Sequence, residues 1–402
     1  MRVQTDNRSR RRRAPGEIRC LVVTNAYPSE GRLYRNGFVH SRVLGYRKLG
    51  LDVEVFWHHP PVADPYTYDF EDVSVTVGDS KALGDYVRDN HYDCYLIHFP
   101  EPQRVEPLTN VDAETPIIAW IHGFEAESWH RRWFNVELTH RGISQFLNKR
   151  EDYYIPQNRF LNNLVISQRK NLYFVNVSEW FQRIVVEPDI GADFTNNVVI
   201  PNYIDTNKFA YRKKAAEDRF KILSLRPFAS HKYANDLTVE AIKILSKRPY
   251  FKQLEFTIAG EGPLFDETTA SIKSFKNVKL MNRFFTSAEI SELHADHGVF
   301  LAPTRFDSQG VSMCEAMSSG LAVISNNTAA IPEFVDHRKS GLLVEPESAV
   351  GLADAIEQLV FDEELFQSIS SQASISIGER AGFEASIGKE VELILKAVSN
   401  VK

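Results

Sequence analysis

The chain alternates short apolar runs with amphipathic stretches. An apolar run at 18–24 is followed by a Tyr27-Pro28 break, a helix-like stretch from Gly37 to Leu49 and a second run at 53–57. That order predicts strand, loop, helix and strand. Runs at 92–98, 116–122 and 172–178 predict further strands, with helical spacing at 179–186 and a short strand at 198–201. Strands alternating with helices predict a parallel sheet. After Asn202-Tyr203-Ile204-Asp205, residues 208–218 are charged and irregular, which places an interdomain linker there. The alternation then restarts. Strands are predicted at 220–225, 254–260, 278–281, 298–302 and 322–325, with an amphipathic helix at 236–247 and a closing one at 383–398.

The expected fold class is α/β, with two Rossmann-like doubly wound domains facing across a cleft. The predicted divisions are a basic disordered leader at 1–16, an N-terminal domain at 17–207, a C-terminal domain at 208–382, and a closing helix at 383–402 able to cross back to the first domain. Open parallel sheets bind ligands beyond the carboxyl ends of their strands, so the site is expected between the halves. A length of 402 residues suits two domains, and 43% hydrophobic with 25% charged content excludes disorder, collagen and a disulfide mini-scaffold.

Charge narrows the partners. Forty-seven basic and 53 acidic residues leave a net charge of −6, which removes nucleic acid from the expected partners. The first fourteen residues hold six arginines against Asp6, a local +5 that leaves −11 elsewhere. Such a leader reads as solvated chain, or as a peripheral contact with anionic membrane worth about 1 kcal/mol per basic residue. No apolar run reaches the roughly 18 residues of a membrane span, and none suits a secretory signal. Cys20, Cys94 and Cys314 fit neither a disulfide framework nor a zinc site. The expected location is therefore the reducing cytoplasm, including the inner face of its membrane. Residues 124–164 are rich in Trp, Tyr, Phe, His and Arg, which predicts packed helices, with a lid or acceptor platform as the alternative.

Two segments could carry chemistry. Phe306-Asp307-Ser308-Gln309-Gly310-Val311-Ser312-Met313-Cys314-Glu315 follows an apolar strand and leads into a helix. Gly310 permits close backbone approach, and the free N–H groups of a helix start favour phosphate. Glu315, one turn in, can accept both hydroxyls of a ribose. Leu225-Arg226-Pro227-Phe228-Ala229-Ser230-His231-Lys232 lies where the first strand of the same domain ends. Arg226 and Lys232 can face one diphosphate and neutralise a leaving group that gains negative charge.

These residues resemble the retaining nucleotide-sugar glycosyltransferases of the GT-B fold, in the large group often called family 4. The resemblance is strongest over 220–346. It rests on Asp307 and Glu315 at acidic-x7-Glu spacing, the preceding Arg226/Lys232 pair, Gly260-Glu261-Gly262-Pro263, Ser319-Gly320-Leu321, Ile331-Pro332-Glu333-Phe334 and Ser340-Gly341-Leu342-Leu343. In the first half, Tyr27-Pro28 with Gly37, Ile121-His122-Gly123 and 198–205 are similar more loosely. The family commonly has glutamate where this chain has Asp307, a shorter reach toward sugar hydroxyls.

The resemblance implies transfer of a hexosyl group from a nucleoside diphosphate, UDP first and GDP second, to an acceptor hydroxyl with retention. It implies a glycan, lipid-linked or small-molecule acceptor, as in surface polysaccharide or glycoconjugate assembly, and no cofactor or metal. Carried over, Arg226, Lys232 and His122 are catalytic, with His122 on the transferred sugar. Asp307, the backbone of Gln309, Gly310 and Val311, Glu315, Gly37 and Arg283 bind substrate. The competing readings are a nucleotide-sugar epimerase on the same architecture and a binding protein without turnover. A Rossmann dehydrogenase is disfavoured, since no G-x-G-x-x-G follows the first strand.

Overall fold

The computed structural model describes residues 15–30 and 36–400, so the arginine-rich leader lies outside the described residues. Two separate sheets carry the fold. The first contains β1 (Arg19–Thr24), β2 (Asp52–His58), β3 (Tyr66–Phe70), β4 (Val73–Gly78), β5 (Cys94–His98), β6 (Ile117–Ile121), β7 (Leu172–Asn176) and β8 (Asn197–Val199), in the order β3-β4-β2-β1-β5-β6-β7-β8. β1, β5, β6 and β7 are short apolar runs buried on both faces, as strands inside a helix-covered parallel sheet must be.

The hydrophobic pattern misses one part of this sheet. β3 and β4 form an antiparallel hairpin at its edge, closed by Glu71 and Asp72, both at positive φ (47° and 63°). That is the two-residue turn whose twist suits a hairpin, built here without the glycine or asparagine that would have announced it.

The second sheet holds β9 (Lys221–Leu225), β10 (Glu255–Ala259), β11 (Val278–Met281), β12 (Val299–Leu301), β13 (Ala322–Asn326) and β14 (Gly341–Val344), ordered β11-β10-β9-β12-β13-β14 and parallel throughout. Strand order reverses between β9 and β12, and likewise between β1 and β5 in the first sheet. Loops diverge at such points and leave a crevice. The fold is thus α/β with two Rossmann-like domains, of the GT-B kind.

The last helical segment belongs spatially to the first domain. After the helix Glu363–Ala381, the chain crosses over, and Ile387, Val391 and Ile394 pack with Val39, Val43 and Tyr46. The approach is close at Gly45, where a Cβ would meet Ile387 at 2.8 Å. Glu390, fully buried, accepts from Arg42 Nε (3.0 Å), Trp120 Nε1 (2.9 Å) and Tyr46 Oη (2.7 Å). A buried carboxylate survives only when so completely partnered.

The three cysteines are free and buried. Among the described residues, no helix is long and apolar enough to cross a membrane. The aromatic stretch folds as short turns followed by the helices His140–Lys149 and Ile155–Ile166, joined without a break by the π-helical segment Arg150–Tyr154, and Trp129 and Trp133 both pack edge-on against Phe146. It also touches the second domain, where Ser230 Oγ donates to Asn135 Oδ1 at 2.7 Å.

Candidate active site

Arg226 leaves the sheet at the carboxyl end of β9, its amide still bonded to Ala259 O (3.0 Å). Its side chain is buried. Nη1 donates to Ser312 Oγ (2.9 Å), Nη2 donates to Asp307 Oδ2 (3.3 Å), and Nε has no partner among the described residues. The guanidinium lies 5.0 Å from the centre of the Tyr233 ring, and the Lys232 ammonium lies 4.8 Å from the same ring. One tyrosine therefore gathers both predicted cations. Arg305 fixes the Lys232 turn: its amide donates to Lys232 O (2.8 Å), and its guanidinium donates to His231 O (2.9 Å) while pairing with Asp236 and Glu347.

Gly310 opens the helix Val311–Ser318 in the left-handed conformation, φ 78°. A side chain there would be strained, and its Cβ would meet Ile331 at 3.0 Å. The first helical bond runs from Cys314 N to Gly310 O, so the amides of Val311, Ser312 and Met313 precede the ladder.

Asp307 departs from expectation. Its Oδ1 accepts the amides of Gln309 (3.2 Å) and Gly310 (2.8 Å) while Oδ2 meets Arg226. The amides expected to cap phosphate at Gln309 and Gly310 are thus turned to a carboxylate, because aspartate is short enough to fold back on its own loop. The Gln309 side chain is also committed: it is buried, accepts from Asn202 N (2.6 Å) and donates to Asn202 O (3.0 Å).

The Glu315 side chain is partly buried and has no hydrogen-bond or ion-pair partner among the described residues. Burial pushes its pKa up to about 7, with Lys208 pulling the other way. An unpartnered carboxylate one turn inside a helix start can accept ligand hydroxyls.

His122 ends β6 among aromatic rings, 5.0 Å from Phe38 and 4.7 Å from Phe99. Its Nε2 pairs with His98 Nδ1 at 2.9 Å, its Nδ1 is buried without a partner, and burial keeps both imidazoles neutral. Its amide donates to Glu125 Oε1, and its carbonyl accepts from Ser308 Oγ across the cleft (3.1 Å). His122, expected to meet a sugar, is thus held here by His98 through one ring nitrogen and keeps the other unpartnered among the described residues.

Gly37 begins the helix Gly37–Lys48, and nothing lies within 4 Å of where its Cβ would be. Asn36 before it binds Thr24, Asn25 and Ala26 after β1, which ties the loop to the strand end. Arg283 stands apart from this group. Half exposed, it pairs with Glu289 (2.8 Å), donates to Phe284 O and lies over Phe285, so it supports the start of the helix Ser287–Asp296.

His98, Glu125, Asn202, Arg305 and Ser312 were missed by the sequence reading. A signal existed for His98, a polar end to an apolar strand at the switch point. For Asn202 only the resemblance of the segment 198–205 drew attention, and its pairing with Gln309 through the main chain and with Arg42 through the side chain left no local mark. A separate cavity of about 540 Å³ in the second domain lies beside Arg248, His337 and Phe361 and involves none of the predicted site residues.

The cleft is already bridged. Besides Ser308 and Gln309, the Glu333 carboxylate accepts the amides of Glu179 (2.9 Å) and Trp180 (2.6 Å), and Trp180 packs edge-on against Phe306. The arrangement gathers Arg226, Lys232 and the helix start at Gly310 at the switch point of the second sheet, with the Glu315 carboxylate one turn into that helix.

Comparison with known proteins agrees with this chemistry. Residues 219–362 match the model of a family described as glycosyl transferases group 1. The N-acetyl-alpha-D-glucosaminyl L-malate synthase of Bacillus anthracis is 26% identical over 162 residues, 40% of this chain and 41% of that protein. The poly(ribitol-phosphate) alpha-N-acetylglucosaminyltransferase of Staphylococcus aureus is 28% identical over 162 residues, 39% of this chain and 32% of that protein. The chain thus spans about two fifths and one third of these curated relatives. Anabaena HepE, solved in complex with UDP and glucose, shares the fold with a TM-score of 0.67 at 14% identity, covering 94% of this chain and 100% of that one. The structural match shows the GT-B fold, and the family model and the curated relatives, which meet this chain over about two fifths of its length, are those of sugar transferases.

Proposed function

We propose that the chain moves a hexosyl group from a nucleoside diphosphate to an acceptor hydroxyl with retention, as family 4 enzymes do, in the assembly of a surface polysaccharide or glycoconjugate. The observation that carries this reading is the convergence of Arg226, Lys232 and the start of the helix at Gly310 on the switch point of the second sheet. UDP is the first choice of donor nucleotide, in line with the UDP held by the HepE structure. GDP is the second. The acceptor is a glycan, a lipid-linked glycan or a small molecule.

The proposed chemistry is charge stabilisation. Arg226, Lys232 and the amides of the helix start would hold the departing diphosphate, and Glu315 the ribose. No protein nucleophile and no metal enter the proposal. The acceptor would attack on the face from which the diphosphate leaves, and a diphosphate oxygen would take its proton. Work on the cytoplasmic face of a membrane, with the basic leader as a peripheral contact, belongs to the same proposal.

One observation favours a second reading, binding without turnover: Asp307 is spent on its own loop and on Arg226. A thermal-shift panel of UDP, GDP, ADP and dTDP, followed by incubation with the corresponding donor sugars, separates the two. Stabilisation by one diphosphate with slow donor hydrolysis supports the transferase. Stabilisation without donor loss supports the binder, and no stabilisation by any of the four sinks both.

A further inference from the structure

The cleft loop that carries Asp307 and Gly310 is fastened to the other domain at Ser308 and at Gln309, and the fastening at Gln309 is unusual in kind. The Gln309 amide pairs with both the N–H and the C=O of Asn202, imitating one rung of a β ladder between a side chain and the segment that follows β8. The Asn202 side chain accepts from Arg42 Nη2 (3.0 Å), and Arg42 Nε reaches Glu390 on the helix Lys389–Asn400. Every member of this chain is buried. It runs unbroken from the crossover helix to the loop whose helix start faces the ligand crevice.

We propose that Gln309 is a positioning residue: it sets the anion-receiving loop at 307–313 in register with the interdomain segment, so that diphosphate affinity depends on a side chain that does not touch the nucleotide. The proposal rests on the nucleotide-sugar reading of the cleft. Its physical basis is pairing. Removing the amide leaves a buried N–H and a buried C=O of Asn202 unsatisfied, and the loop must shift to admit water. Substitution by glutamate sets one carboxylate oxygen against the Asn202 carbonyl, two acceptors face to face, until that carboxyl is protonated and donates as the amide did.

The test uses the full chain. Gln309→Glu and Gln309→Leu are compared with the unchanged protein for UDP affinity by calorimetry at pH 8 and at about pH 5.5. Glu315, with its pKa of about 7, titrates between these two values, and Asp307, Cys314, His122 and Arg42 also face the loop or its Asn202 partner, so each variant is read as a ratio to the unchanged protein at the same pH. Gln309→Glu is expected to lose about tenfold at pH 8 and most of that loss to disappear in acid, whereas Gln309→Leu loses affinity at both. Amide exchange, measured without nucleotide, is expected to accelerate in Gln309→Leu over both 198–206 and 307–313. Equal affinity in all three proteins, or faster exchange confined to 198–206, overturns the proposal. If the unchanged protein binds no nucleoside diphosphate, the proposed function fails, and the exchange experiment alone decides whether Gln309 positions the loop.

Discussion

Replacing Glu315 by glutamine separates stability from binding, because the same carboxylate is expected to serve one at the expense of the other. Its pKa lies near 4.5 in water and is pushed up to about 7 by burial. At about 1.4 kcal/mol per unit, keeping it ionised in the folded state costs at most about 3.5 kcal/mol, reduced to about 1–3 because the side chain is partly exposed. The folded carboxyl holds its proton more tightly than the unfolded one. The cost is therefore absent below about pH 4.5, grows between 4.5 and 7, and is complete above 7. Glu315→Gln abolishes it, so the variant should be the more stable protein at pH 8, by that 1–3 kcal/mol, and should lose most of this advantage at pH 5. Its affinity for UDP should fall by about 1–3 kcal/mol through loss of charged hydrogen bonds to the ribose. Thermal unfolding at both pH values, with and without UDP, reads both effects. A variant whose stability relative to the parent is the same at pH 5 and pH 8, and whose UDP affinity is unchanged, refutes the assignment of Glu315.

Arg226→Ala and Lys232→Ala should each lose about 2–4 kcal/mol of transition-state stabilisation, seen as a fall in donor turnover at saturating nucleotide sugar; parental turnover in either removes its role. Glu390→Ala should destabilise the fold by about 3–5 kcal/mol, because it strands the buried Arg42 charge, and denaturant unfolding measures it. Donor hydrolysis should be unchanged by excess EDTA; loss of activity restored by a divalent cation would overturn the metal-free proposal.

The parallel strands were legible because their residues are apolar on both faces, as in Ile117–Ile121, and such runs leave few alternatives. The β3-β4 hairpin was not, because Tyr66–Phe70 is half exposed at the sheet edge and its turn uses Glu71 and Asp72. In the site, the sequence exposed the residue types and their spacing, which is why Arg226, Lys232 and the Gly310 helix start come together. It could not expose commitments made across distance. Gln309 bonds to residue 202, Ser308 to residue 122 and Glu333 to residues 179 and 180, pairings set by how two domains meet rather than by any local pattern.

Asp307 is where local chemistry and site geometry bear on the same atoms. A buried guanidinium needs an anion, and Arg226 finds one in Asp307, which also takes two amides at the helix start. The carboxylate thus occupies the electrostatic position that a phosphate would claim, and it keeps Arg226 ordered beside Ser312 before any ligand arrives. A diphosphate carries more charge than a carboxylate and can draw on Lys232, on the unpartnered Nε of Arg226 and on the amides of Val311 to Met313, none of which Asp307 uses. A longer glutamate, which need not fold back on the loop, would leave the amides of Gln309 and Gly310 open to the ligand. Aspartate at this position turns two amides of the loop inward and fixes the loop by its own carboxylate, as the Gln309 pairing with Asn202 fixes it from the other side.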